Sequence, residues 1–309
     1  MRHLLPILVF LGSSAFAQSP PDPNAFRNGV AYTFERKFAT RKVHDAFDKG
    51  RISLATYIFR PTKESSHRVV LFVHGSLGGL TVAPHEPTLF MPAALTQYFV
   101  RRGYTVVYST RRGLGESTGT FREECAFAAG KCTVAEYRAL AEPGLAEAEK
   151  DTEAVIDQII EGREVPKGSK ILFSGVSRGG FLALRVASRH PQISAGVVNF
   201  VGGWLSVGEP WDSQENAART DLQQRLFKDI GARLSKVPTL WIYAARDPFY
   251  PETTTRGFFA AFQSGGGTGD CFYVAEHSLR IGHIVATDPA LWSAKVDAFT
   301  AALDGAPGD

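Results

Sequence analysis

From about residue 31 onward, short apolar runs alternate with longer segments of mixed polarity. Eight runs rich in β-branched and aromatic residues predict strands at 31–38, 52–59, 68–74, 104–109, 170–176, 195–201, 238–244 and 271–275. The middle ones are almost continuously apolar, as in Val69-Val70-Leu71-Phe72-Val73 and Thr239-Leu240-Trp241-Ile242-Tyr243, which is the pattern of strands covered on both faces. Helical periodicity predicts helices at 93–102, 134–160, 180–189, 213–234 and 290–303, with Gly103 and Gly162 placed to stop the first two. Alternation of this kind implies an α/β fold with a mostly parallel eight-stranded sheet, helices on both faces, and ligand sites at the carboxyl ends of the strands. Segment 204–236, polar and Trp-bearing, reads as an insertion between two core strands and is a candidate small cap.

The N-terminus has a different pattern. Met1-Arg2-His3 is basic, Leu4 to Gly12 is apolar apart from Pro6, and Ala15-Phe16-Ala17 is a small-x-small cleavage signal. Residues 1–17 are expected to be a secretory signal, leaving 18–309 as one domain in a secreted or periplasmic protein. The apolar run is about half the ~20 residues that a membrane-spanning helix needs, so no membrane span is expected. An oxidising compartment gives meaning to the cysteines: Cys125 and Cys132 are close enough in one loop-like segment for a local disulfide. Cys271 opens an apolar run and reads as a small buried hydrophobe. The chain has 309 residues, 44% hydrophobic and 21% charged, an ordinary globular mix. A net charge of +3 from scattered cations offers no footprint for nucleic acid.

The chemistry is carried by Gly175-Val176-Ser177-Arg178-Gly179, a Gly-x-Ser-x-Gly sequence directly after the apolar run Ile171-Leu172-Phe173-Ser174 and directly before the helical Phe181-Leu182-Ala183-Leu184. A serine on such a strand-to-helix turn is exposed as a nucleophile, and the glycines leave room for backbone and helix to pass. Gly115-Glu116-Ser117-Thr118-Gly119 also fits, but its serine lies well past its strand and no apolar helix follows, so Ser117 is set aside.

With His74-Gly75-Ser76 after the third strand and Arg112-Gly113-Leu114-Gly115-Glu116-Ser117 after the fourth, the chain from about residue 50 onward resembles the α/β-hydrolase superfamily. The resemblance implies a Ser, Asp/Glu, His triad in chain order and an oxyanion hole of two backbone N–H groups, for which Ser76 and Arg178 are the expected pair and Leu77 the alternative to Ser76. The base must come late and at a strand end. His283, in a Gly-His step beyond the last strand, is favoured over His277, which adjoins that strand. His74 is expected to shape the oxyanion loop. Asp247, at a strand end and before Pro248, is the expected third member ahead of Asp270 and Glu276.

Arg111 and Arg112 either steer an anionic substrate or pin loops through carbonyls, the second being favoured because a guanidinium has five donors to satisfy. Trp204, Trp211, Phe249 and Tyr250 line an acyl pocket or form cap core. The expectation is an exported serine hydrolase acting on a small-molecule carboxylic ester through an acyl-enzyme, with no metal or organic cofactor implied. The alternatives are a serine peptidase of prolyl-oligopeptidase-like type and a non-catalytic ligand-binding member of the fold.

Overall fold

A computed structural model describes residues 32–62, 68–75, 93–121, 134–207 and 212–305. The expected signal segment, Ser76, Leu77, Cys125, Cys132 and Trp211 lie outside the described residues. Eight strands form one sheet in the order β1-β2-β4-β3-β5-β6-β7-β8. They are β1 (Tyr32–His44), β2 (Lys49–Pro61), β3 (Val69–Val73), β4 (Thr105–Ser109), β5 (Ile171–Val176), β6 (Ser194–Phe200), β7 (Thr239–Ala244) and β8 (Gly269–Val274). β1 runs antiparallel to β2 and β2 to β4, while every later pairing is parallel. Parallel strands need crossovers, and helices α1 (Ala93–Arg101), α2 (Val134–Glu161), α3 (Arg178–Arg189), α4 (Ser213–Arg233), α5 (Glu252–Ser264) and α6 (Ser293–Gly305) supply or flank them. No helix among the described residues is long and apolar enough to cross a membrane.

The continuous apolar runs of the sequence are the buried central strands: every residue of β3 and β7 is buried. α3 lies over β5 and β6 with Phe181, Leu182, Ala183, Leu184, Val186 and Ala187 fully enclosed. On the same side Phe227 of α4 packs against Phe181 (5.1 Å between ring centroids), Trp241 of β7 (5.1 Å) and Phe258 of α5 (5.0 Å). Segment 204–236 is therefore the crossover from β6 to β7, with Phe227 and Ile230 in the main core; its described part does not stand off the sheet as a cap. On the other side α1 and α6 are joined by Tyr98, whose ring meets Trp292 edge-on at 4.7 Å and whose hydroxyl donates to Asp297 (2.6 Å).

Two elements depart from the expectation. β1 extends six residues beyond Phe38 because Ala39, Arg41 and Val43 all face inward, and an inward arginine masks the alternation. α5 has no counterpart among the predicted helices: its Thr253-Thr254-Thr255 run and Gly257 are poor helix formers, and burial of Thr254, Thr255, Phe258 and Phe262 overrides that preference.

Arg41 belongs to a buried charge network that ties the first hairpin to α2. Arg41 donates to Glu147 and Asp151 (both 2.6 Å). Arg112 donates to Asp151 (2.5 and 2.7 Å), to Asp45 (2.8 Å) and to Asp48 (3.1 Å). Burial opposes the charge of Asp45, but hydrogen bonds from Arg112 and from the backbone N–H groups of Asp48 and Phe47 outweigh it and hold the carboxyl below its ordinary range. Arg112 thus pins loops, though through carboxylates and not through the carbonyls expected; Arg111 is the one that uses carbonyls.

Phe227 is fully buried between three aromatic side chains, so Phe227→Ala is expected to lower the unfolding free energy by about 3–5 kcal/mol in urea titration.

Candidate active site

β5 ends at Val176, and α3 begins at Arg178, so the single residue Ser177 makes the turn. Its backbone sits at φ 57°, ψ −126°, a conformation that disfavours a side chain and persists only where the surroundings impose it. The sterics that impose it are visible in the flanking glycines. A Cβ on Gly175 would lie 2.3 Å from the carbonyl oxygen of Gly179, and one on Gly179 would lie 2.1 Å from that of Val73 and 2.3 Å from that of His74. The Ser177 N–H donates to Phe200 C=O (2.9 Å), and its C=O accepts from Phe181 N–H (3.2 Å) and Gly203 N–H (3.3 Å), which fixes the turn against β6.

The Ser177 hydroxyl lies 3.0 Å from His283 Nε2, and His283 Nδ1 lies 2.9 Å from Asp247 Oδ2. A carboxylate can only accept, so the Nδ1 proton faces Asp247 and the Nε2 lone pair faces the hydroxyl. Asp247 follows β7 and its side chain is 1% exposed. Its second oxygen accepts from the N–H groups of Phe249 (2.9 Å) and Tyr250 (3.2 Å), a local turn that orients the carboxylate without using the oxygen that faces the imidazole. His283 lies in a 3-10 segment, Gly282–Thr287, beyond β8. Only glycine fits before it, since a Cβ at Gly282 would lie 2.2 Å from Ala245 C=O. The imidazole meets Phe249 edge-on at 4.6 Å and Tyr250 at 5.7 Å. Three residues from three loops at the carboxyl edge of the sheet thus share one hydrogen-bonded chain.

The rivals are occupied elsewhere. The Ser117 hydroxyl donates to Thr110 C=O (2.7 Å) and accepts from Ala55 N–H (2.9 Å), holding its loop to β2. His277 contacts Ala245 C=O (2.7 Å) and Arg246 (3.1 Å) rather than Ser177. Asp270 lies on β8 and Glu276 beyond it, both exposed.

His74 ends the run of β3 and is wholly buried. Its Nδ1 donates to Gly75 C=O (2.7 Å), and its Nε2 accepts from Arg111 N–H (3.2 Å). Arg111 in turn donates to the carbonyls of His74 (2.8 Å) and Gly75 (2.9 Å), so this pair rivets the turn beside Ser177. Gly75 passes so close that a Cβ there would lie 3.2 Å from Ser177 Cβ. Arg178 occupies the first position of α3, where a backbone N–H has no acceptor within the helix. Its guanidinium donates to Trp204 C=O (3.0 Å) and lies over the indole at 5.3 Å. Trp204 is fully buried, so it is core rather than pocket lining; Phe249, by contrast, is 42% exposed beside the imidazole.

Residues 48–211 match the family described as X-Pro dipeptidyl-peptidase (S15 family). No curated protein sequence matches the chain. Among solved structures, an esterase from Pyrococcus furiosus superposes with a TM-score of 0.56 at 13% identity, covering 91% of this chain and 92% of that one. The acylaminoacyl peptidase of Pyrococcus horikoshii gives 0.53 at 16% identity, covering 86% of this chain and 40% of that one. A ferulic-acid-bound protein, Est1E of Butyrivibrio proteoclasticus, gives 0.51 at 14%, covering 81% and 96%. The fold is that of the α/β-hydrolase superfamily.

Burial, and secondarily the charge of Arg111, push the His74 pKa well below 6.5, the hydrogen bond with Gly75 opposing them. The folded protein therefore resists a proton that the unfolded chain accepts. Above about pH 7 the residue is neutral in both states and contributes nothing; as pH falls through about 6.5, stability is lost at up to about 1.4 kcal/mol per pH unit. His74→Gln is expected to remove that share of the slope between pH 7 and 5 in denaturant titrations, and an unchanged slope would show that His74 is not its source.

Proposed function

The chain belongs to the X-Pro dipeptidyl-peptidase (S15) family and is a serine hydrolase, and we propose that it cleaves carboxylic esters through an acyl-enzyme formed on Ser177. The observation that carries this reading is the continuous hydrogen-bonded chain Ser177–His283–Asp247 at a strained strand-to-helix turn. Ser177 Oγ attacks the ester carbonyl as His283 Nε2 takes its proton, and the buried Asp247 carboxylate stabilises the resulting imidazolium. The developing oxyanion is assigned to the Arg178 N–H together with the N–H of Ser76 or Leu77, since backbone donors stabilise such charge as it forms. His283 then passes its proton to the departing alkoxide oxygen. A water, deprotonated by the same nitrogen, releases the acid and regenerates the serine.

An ester is favoured over a peptide by what surrounds the imidazole. Recognition of a peptide N-terminus calls for a carboxylate facing its ammonium, and among the described residues the carboxylate of the hydrogen-bonded chain, Asp247, has both oxygens already engaged. The exposed Phe249 ring offers instead an apolar wall beside the reacting nitrogen, suited to a small or aromatic ester. The peptidase reading is retained as second on one observation, the family match itself.

We also propose export, with a mature chain starting near Gln18 and a Cys125–Cys132 bridge, on the pattern of the N-terminal residues and the spacing of the two cysteines. Intact mass of the exported protein should show loss of residues 1–17 and two fewer hydrogens than the fully reduced form; three free thiols would remove the bridge.

A fluorophosphonate probe should label the wild-type protein at Ser177. Ser177→Ala should lose label and at least about 10⁴-fold in kcat, whereas Ser117→Ala keeps a measurable rate. The kcat/KM for an acetyl or butyryl aryl ester should exceed that for a long-chain acyl ester or an aminoacyl anilide, and a preference for the anilide would put the peptidase reading first.

A further inference from the structure

Asp247 and His283 stand on different loops, one leaving β7 and the other following β8, and their 2.9 Å contact requires these loops to hold a fixed spacing. The His283 loop is tethered at Trp292, whose indole N–H donates to Val285 C=O (3.1 Å), and at Arg246, the residue immediately before Asp247. Arg246 is one of four described non-glycine residues with positive φ, at 60°, a left-handed conformation that a residue bearing a Cβ seldom adopts. Turned this way, its C=O accepts from the N–H of Gly282, the residue immediately before His283 (3.1 Å). Its guanidinium reaches the same loop: Nη2 lies within hydrogen-bond distance of His277 C=O (2.5 Å), Leu279 C=O (3.1 Å) and His277 Nδ1 (3.1 Å). Ala245 C=O can only accept, so the His277 Nε2 facing it carries the ring proton, and the unprotonated Nδ1 shares the two Nη2 N–H groups with the two carbonyls. The Nε2 proton points at Ala245 C=O, 2.7 Å away, on the other side of Arg246.

The neighbours of the two reacting residues are therefore joined twice, through the main chain at Arg246 and Gly282 and through the side chains of Arg246 and His277. We propose that Arg246 and His277 are positioning residues that set the register of the Asp247 loop against the His283 loop, and so hold the imidazole at its working distance from Ser177. The proposal rests on the reading of Ser177, His283 and Asp247 as the reacting set. Neither residue contacts the Ser177 hydroxyl; they act through the loops that carry the residues which do. The strained backbone of Arg246 fits this role, because a left-handed turn persists where surrounding contacts over-determine it, and here those contacts all run to the His283 loop.

Misplacement of a reacting group by about 1 Å can cost on the order of 10²-fold in rate. Arg246→Met and His277→Ala are each expected to lower kcat by roughly 10–100-fold with KM within about twofold of wild type, and the rate of fluorophosphonate labelling at Ser177 should fall in parallel. The double variant should lose less than the product of the two single losses, since the side chains share one clasp, while Arg246→Met should cost more than His277→Ala, which keeps the bonds from Arg246 to the His277 and Leu279 carbonyls. His277→Gln, whose amide presents an N–H and a carbonyl in place of the two ring nitrogens, should recover most of what His277→Ala loses, and Arg246→Lys part of what Arg246→Met loses. All assays are run well below each variant's measured Tm, so a stability effect alone does not alter kcat. Wild-type kcat in Arg246→Met and His277→Ala, a change confined to KM, or equal loss in His277→Ala and His277→Gln would overturn the clasp while leaving the nucleophile intact. Absence of wild-type labelling at Ser177 would instead overturn the reading beneath it.

Discussion

The site depends on how closely two stretches of backbone pass where β5 turns into α3. Gly175, Gly179 and Gly75 bring the nucleophile turn, the head of α3 and the turn after β3 within van der Waals contact, with no space for a side chain at the first two. That proximity holds Ser177 in a backbone conformation it would not choose and presents its hydroxyl beyond the sheet edge, where His283 can reach it. The strain of about 1–3 kcal/mol in such a residue is small beside the burial that holds the flanking elements: β3, β5 up to Gly175 and the inward face of α3 are enclosed, at about 1.5–3 kcal/mol for each large apolar side chain. A rigid core thus stabilises a locally unfavourable turn.

Charge plays the corresponding part beside the first hairpin. Arg41 and Arg112 enter the interior with Asp45, Asp48, Glu147 and Asp151 as partners, each cation meeting at least two carboxylates. Breaking such a network leaves buried charge without compensation, which is far costlier than never having buried it. The same logic at smaller scale explains His74 and Arg111: the arginine takes up two carbonyls at the sharpest part of the loop, and the imidazole, kept neutral, bridges one of them to the next strand's exit.

What could be read from the chain beforehand follows from how local each signal is. The parallel strands were legible because burial on both faces leaves an uninterrupted apolar run, and Ser177 because its glycines are demanded by contacts within a few residues of it. Asp247 and His283 were legible as residues at strand ends, and the structure brings both to Ser177. The extent of β1 was hidden because its inward Arg41 is satisfied by acids more than a hundred residues away. α5 was hidden because tertiary burial, not propensity, makes it helical. The service of His277 and Arg246 was equally invisible, since their partners lie about thirty residues apart and the only local sign was an arginine ahead of an aspartate at a strand end. The segment 204–236 looked like an addition because its polar face dominates its composition; its few large apolar residues are what decide where it packs.

The order of the strands also sets a timetable. Ser177 is complete once β3, β5 and α3 have come together, but Asp247 and His283 arrive only with β7, β8 and the turn that follows them. In chain order Ser177 comes 106 residues before His283, the base on the proposed reading, and a lone hydroxyl has little nucleophilic strength. On the proposed mechanism, turnover then requires the finished sheet, because β7 and the turn after β8 carry the two residues that would activate Ser177.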